Sequence, residues 1–231
     1  MRLRAGPGAK RVAVPRYLDE TYWWAYVHPA AVRVFERQWL VNLILFGNYA
    51  RLRDAALAEF GPRPGRSLQI ACVYGDLTER LSTRIGADAS LDVVDVLPVQ
   101  LSNLARKLNG EGRARLFLGD SSALGVEDAS YDRALLFFLL HEQPADVRRA
   151  TLAEALRVVK PGGTVVVVDY HRPARWHPVR PLLKPILGRL EPYAKDLWRE
   201  DLSAWLPANY RGPVVKQTYF GALYQKVVLR P

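Results

Sequence analysis

Residues 67–76, Ser-Leu-Gln-Ile-Ala-Cys-Val-Tyr-Gly-Asp, form the stretch that decides the fold of this 231-residue chain. An apolar strand runs into a tight turn, and a helix-like pattern begins at Leu77. This order of strand, turn and helix is typical of the first unit of an α/β domain that binds a nucleotide cofactor. The turn lacks the Gly-x-Gly-x-x-Gly pattern and keeps Gly75 alone, so the wall beside the cofactor is expected to differ from the usual one.

Strand-like and helix-like segments alternate from residue 67 to about residue 170, which predicts a mostly parallel sheet with right-handed crossovers. Two strands near the C-terminus complete a predicted sheet of seven strands. The predicted strands are 68–73, 91–96, 115–118, 133–138, 164–169, 214–220 and 223–229, and the predicted helices are 77–85, 99–108, 145–159 and 190–205.

A break at Gly61-Pro-Arg-Pro-Gly65 divides the chain into two predicted parts. Residues 1–60 form a helical extension that begins with a frayed Gly/Pro/Arg-rich stretch and includes a helix over 29–46. Residues 61–231 form the α/β domain, in which segment 171–209 interrupts the alternation of strands and helices.

Composition narrows the protein class. An apolar content of 49% is enough for a full core and excludes a disordered chain. The single cysteine, Cys72, excludes an internal disulfide framework and fits a reducing compartment; within a strand, a buried inert thiol is expected rather than a nucleophile. No signal peptide is predicted, and the strongest apolar run, 39–46, is shorter than the roughly 20 residues that span a bilayer.

The formal net charge of +10 indicates an anionic partner, either nucleic acid or an anionic membrane face, unless it belongs to a plain soluble basic surface. The basic residues are concentrated before Asp19 and in an acid-free run between Asp169 and Glu191. That second run contains Arg172, Arg175, Arg180, Lys184 and Arg189.

Two acids at the ends of predicted strands are candidate cofactor ligands. Asp95 ends the second strand, where a carboxylate accepts hydrogen bonds from both ribose hydroxyls; the alternative is a solvated strand-end acid. Asp120 follows Gly119 after the third strand, where it accepts from an adenine amino group or caps the loop.

The acid after strand two, Gly119-Asp120 after strand three, Leu139-Leu-His141 after strand four and Lys160-Pro-Gly-Gly163 before strand five together resemble the class I S-adenosylmethionine (SAM)-dependent methyltransferases. The resemblance covers about residues 60–170 and implies a Rossmann-like fold with SAM bound across the strand ends. The cofactor-binding residues that it implies are Ala71, Val73, Tyr74, Gly75, Asp95, Val96, Asp120, Ser121 and Phe138.

Four segments, 17–29, 69–76, 139–143 and 191–197, resemble the RquA family of rhodoquinone-biosynthesis proteins, which is related to the quinone-ring methyltransferases. This resemblance implies a bacterial transferase that converts ubiquinone to rhodoquinone by replacing a ring methoxy group with an amine. It also implies SAM as the amine donor and Mn²⁺ as a supporting ion.

The altered turn then has a physical interpretation. Methyl transfer requires the sulfonium methyl group to face the acceptor, whereas amine transfer requires the α-amino nitrogen to face it. Gln69, Ala71, Val73 and Tyr74 rebuild the wall at the amino-acid end of SAM, as a change of reacting atom would require. A degenerate, non-catalytic site is the alternative.

Acids and histidines at the strand ends are the candidate catalytic and metal-binding groups. We expect Asp76 or His141 to act as the base for the SAM amine, and His141, Glu142 and Asp169 to bind Mn²⁺. Related quinone O-methyltransferases carry a Glu-x-x-Glu-His cluster here, of which this chain keeps the histidine; packing or turn capping is the alternative role of His141.

Aromatic residues are the candidate quinone contacts, with core packing as the commoner use of such side chains. The predicted substrate residues are Tyr22, Trp23, Trp24, Tyr26, His28 and Tyr193. Because a polyprenyl tail stays in the bilayer, we expect a cytoplasmic protein that is peripheral on the inner face of the plasma membrane and contacts it through 29–46 and 171–189.

Three other functions remain open at this stage: an ordinary quinone-ring methyltransferase, a non-catalytic SAM-binding protein and an RNA methyltransferase. The last is disfavoured, and no nucleic-acid partner is predicted, because no Asn/Asp-Pro-Pro-Tyr segment follows strand four.

Overall fold

The computed structural model describes residues 4–5, 13–86, 89–109 and 114–231. A sheet of eight strands in the order β1-β4-β3-β2-β5-β6-β8-β7 runs through the described part of the chain. The strands are β1 Arg4–Ala5, β2 Arg66–Ile70, β3 Ser90–Asp95, β4 Ala114–Leu118, β5 Tyr131–Phe137, β6 Val159–Tyr170, β7 Val214–Tyr219 and β8 Tyr224–Leu229.

Strands β1 to β6 pair in parallel, whereas β8 is antiparallel to both β6 and β7. The central strands are buried on both faces, as a parallel sheet covered by helices requires. The predicted mostly parallel, seven-stranded, Rossmann-like class I fold is therefore confirmed. The two-residue strand β1 was not predicted, and it lies within the Gly/Pro/Arg-rich stretch that we expected to be frayed.

Helices cover the sheet and build the N-terminal extension. They are α1 Arg16–Thr21, α2 Pro29–Phe35, α3 Gln38–Ile44, α4 Tyr49–Ala58, α5 Leu77–Arg84, α6 Pro98–Lys107, α7 Ala145–Val158, α8 Arg180–Leu190 and α9 Asp196–Arg199. A π-helical turn spans Trp23–Val27, and 3-10 turns span Leu140–Glu142, Pro192–Lys195 and Leu202–Trp205.

The helix predicted over 29–46 is two helices, because the chain turns at Glu36 and Arg37. Arg37 adopts an extended conformation, and the Glu36 carboxylate is held by Gly75 N at 3.2 Å and by Lys107 Nζ at 2.6 Å. These contacts turn the carboxylate of Glu36 toward α6 and the first turn of the sheet. A tertiary interaction thus ends a helix that local periodicity would have continued.

The proline-rich segment also differs from its prediction. Helix α8 forms within it, with Pro181 in the first helical turn, where a missing N–H costs nothing, and with Pro185 inside the helix. The helix predicted over 190–205 is instead α9 flanked by two 3-10 turns. Lys160–Gly163, which the sequence pattern placed before strand five, lies within the long strand β6.

The N-terminal extension folds over the carboxyl ends of the parallel strands. Leu18, Tyr22 and Leu97 form a small apolar cluster there, separate from the main core. Tyr74 donates from its hydroxyl to the carbonyl of Ala25 at 2.7 Å, and Gln100 donates to the carbonyl of Tyr26 at 3.0 Å. These contacts fix the extension over the sheet edge at which α/β domains bind their ligands.

Within the described ranges, every helix is too short or too polar to be a candidate transmembrane span.

Candidate functional site

A small cavity of about 60 Å³ lies at the carboxyl edge of the sheet, under the N-terminal extension. The sheet side of its wall comes from the segments that follow β2, β3, β4 and β5. The lining residues are Pro15, Tyr17, Leu18, Tyr26, Ala71, Cys72, Val94, Asp95, Val96, Leu97, Gln100, Gly119, Asp120, Ser121, Phe138, Leu139, Glu142 and Gln143.

Asp95 lies at the floor of this cavity, at the end of β3. Its Oδ2 accepts from Cys72 N at 2.7 Å and its Oδ1 accepts from Leu97 N at 2.8 Å. Burial raises the pKa of Asp95 to about 6, although these backbone donors act in the opposite direction. Two backbone N–H groups thus fix both carboxylate oxygens, and each oxygen keeps a further lone pair for a ribose hydroxyl.

Asp120 and Ser121 line the next part of the wall. Asp120 Oδ1 accepts from Ser122 N at 2.8 Å and from Ser122 Oγ at 2.7 Å, which is the loop-capping role considered above. Its side chain still borders the cavity, so the capping role and an adenine contact are compatible. Gln143 adds a buried carbonyl oxygen, Oε1, that has no hydrogen-bond partner among the described residues.

The first turn of the sheet has an unusual backbone. Ala71 follows β2 with φ 71°, in the left-handed region that favours glycine, and Phe138 follows β5 with φ 53°. Both residues line the cavity. Gln69, fully buried, donates to the carbonyl of Ala71 at 2.9 Å and accepts from Thr78 Oγ1 at 3.0 Å. The neutral side-chain amide of Gln69 therefore holds the backbone of the turn in place from the buried side.

The rest of the turn packs against the extension and lies outside the residues that line the cavity. The ring of Tyr74 stacks on Tyr26 at 5.8 Å. Gly75 has φ 84°, and its N–H donates to Glu36 at 3.2 Å. Of the cofactor contacts implied for the turn, Ala71 borders the cavity, whereas Val73, Tyr74 and Gly75 are not among its lining residues.

Asp76 is paired with two guanidinium groups. Its Oδ1 lies 2.7 Å from Arg53 Nη1, and its Oδ2 lies 2.5 Å from Arg80 Nε. Burial raises the pKa of Asp76, but the arginines outweigh that effect and hold the pKa below its usual value. Asp76 also lies outside the cavity lining. Both observations argue against the predicted base role of Asp76.

His141 and Asp169 form a buried pair beside the cavity. His141 Nδ1 lies 2.9 Å from Asp169 Oδ1, and the side chain of Asp169 is fully buried. Burial lowers the pKa of His141, yet the charge and hydrogen bond of Asp169 prevail and raise it to about 9. His141 is therefore an imidazolium at neutral pH, a proton donor rather than the predicted base.

Two further carboxyl groups lie near the other nitrogen of His141. Its Nε2 is 3.8 Å from Glu142 Oε1 and 3.9 Å from Glu191 Oε2. Burial raises the pKa of Glu142 to about 8, with the charge of Glu191 adding to the effect of burial and that of His141 opposing it. The pKa of Glu191 is raised as well, mainly by burial. The cluster thus places a protonated imidazole beside a carboxyl group that titrates near neutral pH.

The predicted metal ligands do not share a metal-binding arrangement. Asp169 Oδ2 accepts from Leu140 N at 2.8 Å and from His141 N at 3.3 Å, and its Oδ1 accepts from Tyr170 N at 2.7 Å as well as facing His141. Hydrogen bonds thus engage both oxygens of Asp169. In the described ranges, no group of three or more His, Cys, Asp or Glu side chains is placed to hold a metal ion.

The structure separates the predicted substrate aromatics. Tyr26 lines the cavity, and Tyr22 is buried in the small apolar cluster. Trp24 packs on Phe35, and His28 caps α2 by accepting from Ala30 N at 3.2 Å. The remaining two residues, Trp23 and Tyr193, contact the ring of His28 at 6.0 Å and the ring of Tyr17 at 6.4 Å, respectively.

Cys72 lies in the cavity wall behind Asp95. Burial and the charge of Asp95 raise the pKa of its thiol, so the sulfur stays protonated and is a poor nucleophile. The thiol is thus inert, as expected from the sequence, although Cys72 is half-buried in the turn after β2 rather than within a strand.

Comparison with known proteins gives this cavity its context. Residues 68–163, which contribute most of the sheet side of the wall, match the family model described as "Methyltransferase domain". This stretch is similar to methyltransferase domains. Solved structures agree with the class I fold. An O-methyltransferase family protein from Burkholderia thailandensis superposes with a TM-score of 0.59 at 16% identity, over 84% of this chain and 59% of the other. A SAM-dependent methyltransferase from Aquifex aeolicus superposes with a TM-score of 0.55 at 17% sequence identity, over 87% of this chain and 97% of the other.

A curated relative shares more sequence with this chain. Demethylmenaquinone methyltransferase of Staphylococcus aureus is 30% identical over 135 residues, which are 58% of this chain and 55% of that protein. The chain spans about half the length of the curated relatives that it matches. The protein is thus similar to SAM-using transferases, among them an enzyme whose name designates a quinone as its substrate.

Sequence reasoning missed part of the site. Tyr17 and Gln143 border the cavity, and Glu191 faces His141 from the segment after α8. Glu142, predicted as a metal ligand, also borders the cavity. A signal for Glu191 was present, since Glu191 begins the last of the segments that resemble the RquA family. Its approach to His141, 50 positions earlier in the chain, depends on the path of 171–190 over the sheet edge.

Proposed function

We propose that this protein is a SAM-dependent transferase that acts on the ring of a lipid-soluble quinone and transfers the SAM α-amino group, as the RquA resemblance implies. Asp95 and Asp120, at the ends of β3 and β4, line the cavity where a class I fold holds adenosine. The similarity to a demethylmenaquinone methyltransferase supports a quinone as the acceptor.

One observation favours amine transfer over methyl transfer: His141 Nε2, beside the cavity, lies 3.8 Å from Oε1 of Glu142, which lines the cavity. Replacing a ring methoxy group by an amine needs a proton acceptor for the attacking ammonium and a proton donor for the leaving methoxide. The pKa of Glu142, about 8, and that of His141, about 9, suit these two roles.

The proposed first step follows from those two groups. Ionised Glu142 takes a proton from the SAM ammonium, whose own pKa is about 8, and the neutral nitrogen attacks the ring carbon that bears methoxy. The ring carbon–nitrogen bond forms, the carbon–oxygen bond breaks, the His141 imidazolium protonates the departing methoxide to methanol, and the new ring ammonium returns a proton to His141. The nitrogen is then still bonded to the SAM α-carbon. Elimination completes the transfer: a base removes a proton from the adjacent Cβ, the nitrogen leaves Cα with the bonding electron pair and takes up a proton, and an unsaturated sulfonium acid is released. Asp169 fixes the orientation and the charge of His141.

The rebuilt first turn supports the same proposal. Where the SAM methyltransferases that this chain resembles carry an acid before their glycines, Gln69 is a neutral side chain whose amide is satisfied internally. Tyr74 and Tyr26 stack over the turn. A changed wall at the amino-acid end of SAM fits a changed reacting atom.

The resemblance also implies Mn²⁺, but the residues present do not fit that ion in this arrangement. Asp169 is engaged by four hydrogen bonds, and the described part of the chain has no cluster of three or more candidate ligands in metal-binding geometry. No step of the proposed reaction passes through a cation.

The decisive experiment uses SAM that is labelled with ¹⁵N in its α-amino group and with ¹³C in its methyl group. Incubation with ubiquinone, with and without added Mn²⁺, is followed by mass spectrometry of the quinone product. We expect ¹⁵N in the product without ¹³C. A product that carries ¹³C without ¹⁵N would instead establish an ordinary quinone-ring methyltransferase.

Two control measurements complete the test. Asp95→Ala should abolish the heat of SAM binding in calorimetry; a wild-type protein that binds no SAM would indicate a non-enzymatic scaffold. The rate should be highest between the pKa of Glu142, about 8, and that of His141, about 9, because the base is then ionised and the acid is still protonated.

A further inference from the structure

Two neighbouring surfaces of the protein combine exposed large apolar side chains with basic residues. Trp39 and Leu43 on α3 are 62% and 64% exposed, and every residue of α3 is exposed or half-buried. Trp176, just before α8, is 77% exposed. Single exposed apolar residues need no explanation, but a set of this size on adjoining elements indicates an interaction surface.

Helix α8 divides its apolar residues between two faces. Leu183 and Leu187 are buried in the main core, which anchors the helix. Leu182, Ile186 and Leu190 recur at intervals of four residues and are all exposed, so they share one outward stripe. An anchored helix with an apolar outward stripe and basic flanks has the pattern of a helix that lies in a membrane interface.

Aromatic contacts join the two surfaces. Phe46, two residues beyond α3, stacks on Phe220 at 6.0 Å, and His177 meets the same ring at 4.8 Å. Trp176 stacks on His177 at 6.3 Å. The end of α3 and the start of the α8 segment therefore meet at Phe220. We call the combined surface, formed by Trp39, Leu43, Ile44, Trp176, Leu182, Ile186 and Leu190, the apolar face.

The charged residues in the two stretches of sequence that form the apolar face are all basic. The sequence has no Asp or Glu between Arg37 and Arg53, or between Tyr170 and Leu190. Arg175 and Lys184 are exposed in the second stretch, and no carboxylate of the described residues lies within ion-pairing distance of either. A two-fold contact between copies of this face would bring cations together, whereas an anionic surface would neutralise them.

We propose that the apolar face docks on an anionic lipid bilayer, with Trp39 and Trp176 inserted at the headgroup level and the basic side chains of 172–189 on anionic lipids. Nucleic acid would match the charge but would leave the leucine and isoleucine stripe uncovered. The inference deepens the proposed function, because a quinone with a polyprenyl tail would be taken from that bilayer.

A chain of touching rings links the apolar face to the cavity. Phe220 stacks on Tyr224 at 6.3 Å, and Tyr224 meets Phe138, a residue of the cavity wall, at 5.7 Å. Docking by this face therefore brings the substrate side of the cavity close to the lipid.

Co-sedimentation of the full chain with vesicles tests the proposal. Vesicles of phosphatidylcholine and phosphatidylglycerol in equal parts should bind the protein, and pure phosphatidylcholine vesicles or high salt should weaken binding. The double change Arg175→Glu and Lys184→Glu should lower vesicle affinity by about tenfold or more. Trp176→Ser should also lower it, whereas the exposed control changes Arg63→Glu and Val215→Ser, away from the apolar face, should not.

The failures of the two proposals are distinguishable. Each apolar-face variant should keep the wild-type rate on a quinone that has no polyprenyl tail. Absent binding to the mixed vesicles, salt-independent binding, or equal losses in the control variants would overturn the docking proposal while that rate stands. A dimer in sedimentation velocity that Trp39→Ser dissociates, without vesicle binding, would also overturn it. Vesicle binding without turnover of any quinone would leave docking supported and reject the proposed function.

Discussion

Replacing Asp169 by Asn should convert His141 from an imidazolium into a neutral imidazole at pH 7. Asp169 is fully buried, and its Oδ1 lies 2.9 Å from His141 Nδ1. Burial lowers the pKa of His141, and Asp169 is the main cause of its rise from 6.5 to about 9. At about 1.4 kcal/mol per pKa unit, that rise corresponds to about 3 kcal/mol in favour of the charged form.

Asparagine removes the charge while burial remains, so the pKa of His141 should fall below 7. NMR titration of the histidine rings measures it, and the spectrum of His141→Asn identifies the signal among the four histidines. A His141 signal that still titrates near pH 9 in Asp169→Asn would refute the reasoning. Circular dichroism confirms that the variant is folded.

The wild-type protein gives an independent measurement if that variant does not fold. Because the folded-state pKa of His141 lies above its usual 6.5, the pair stabilises the protein fully below pH 6.5, and the gain is lost as pH rises toward 9. The loss of this contribution should therefore lower the free energy of unfolding, measured by urea titration, by up to about 3 kcal/mol over that window, in addition to the loss from ionisation of buried Glu142. A free energy that is flat with pH would contradict the assigned charge.

Three other changes test separate parts of the structure. Glu142→Gln should raise stability at pH 8 and above relative to wild type, because the folded-state pKa of about 8 makes ionisation of the buried Glu142 costly; urea titrations at pH 5 and pH 9 measure the difference. Ala71→Gly should stabilise the fold by about 1 kcal/mol, because glycine removes the backbone strain that alanine has at φ 71°. An unchanged melting temperature would show that this strain is absent. Gly75→Ala should destabilise by about 2 kcal/mol or more, because φ is 84° and the new Cβ would crowd the hydroxyl end of Tyr49; thermal melting with Gly86→Ala as an open-space control checks it.

Much of the sheet could be predicted because its information is local. Buried parallel strands read as apolar runs, and the strand predicted at 91–96 forms at Ser90–Asp95. The ends of elements depend on distant contacts instead. The break after α2 follows the interactions of Glu36 with Lys107 and Gly75, which no local pattern contains.

The candidate site was harder to predict than the fold for the same reason. Asp95 and His141 were found because they sit at strand ends, which the order of elements locates. The role of Asp76 was misjudged because Arg53, its partner, comes from the N-terminal extension. Glu191 reaches His141 from beyond α8, so the number of carboxyl groups around His141 depends on the fold and could not be predicted from local sequence.

The N-terminal extension covers the cavity and also supplies part of the main core, because Leu52, Ala56 and Leu57 of α4 are fully buried. A fragment that starts at residue 61 would contain the seven main strands but neither Tyr17 nor Tyr26, both of which border the cavity. Such a fragment would present Asp95 to open water. Truncations at the bounds of the family match, residues 68–163, would therefore misreport what the intact chain binds.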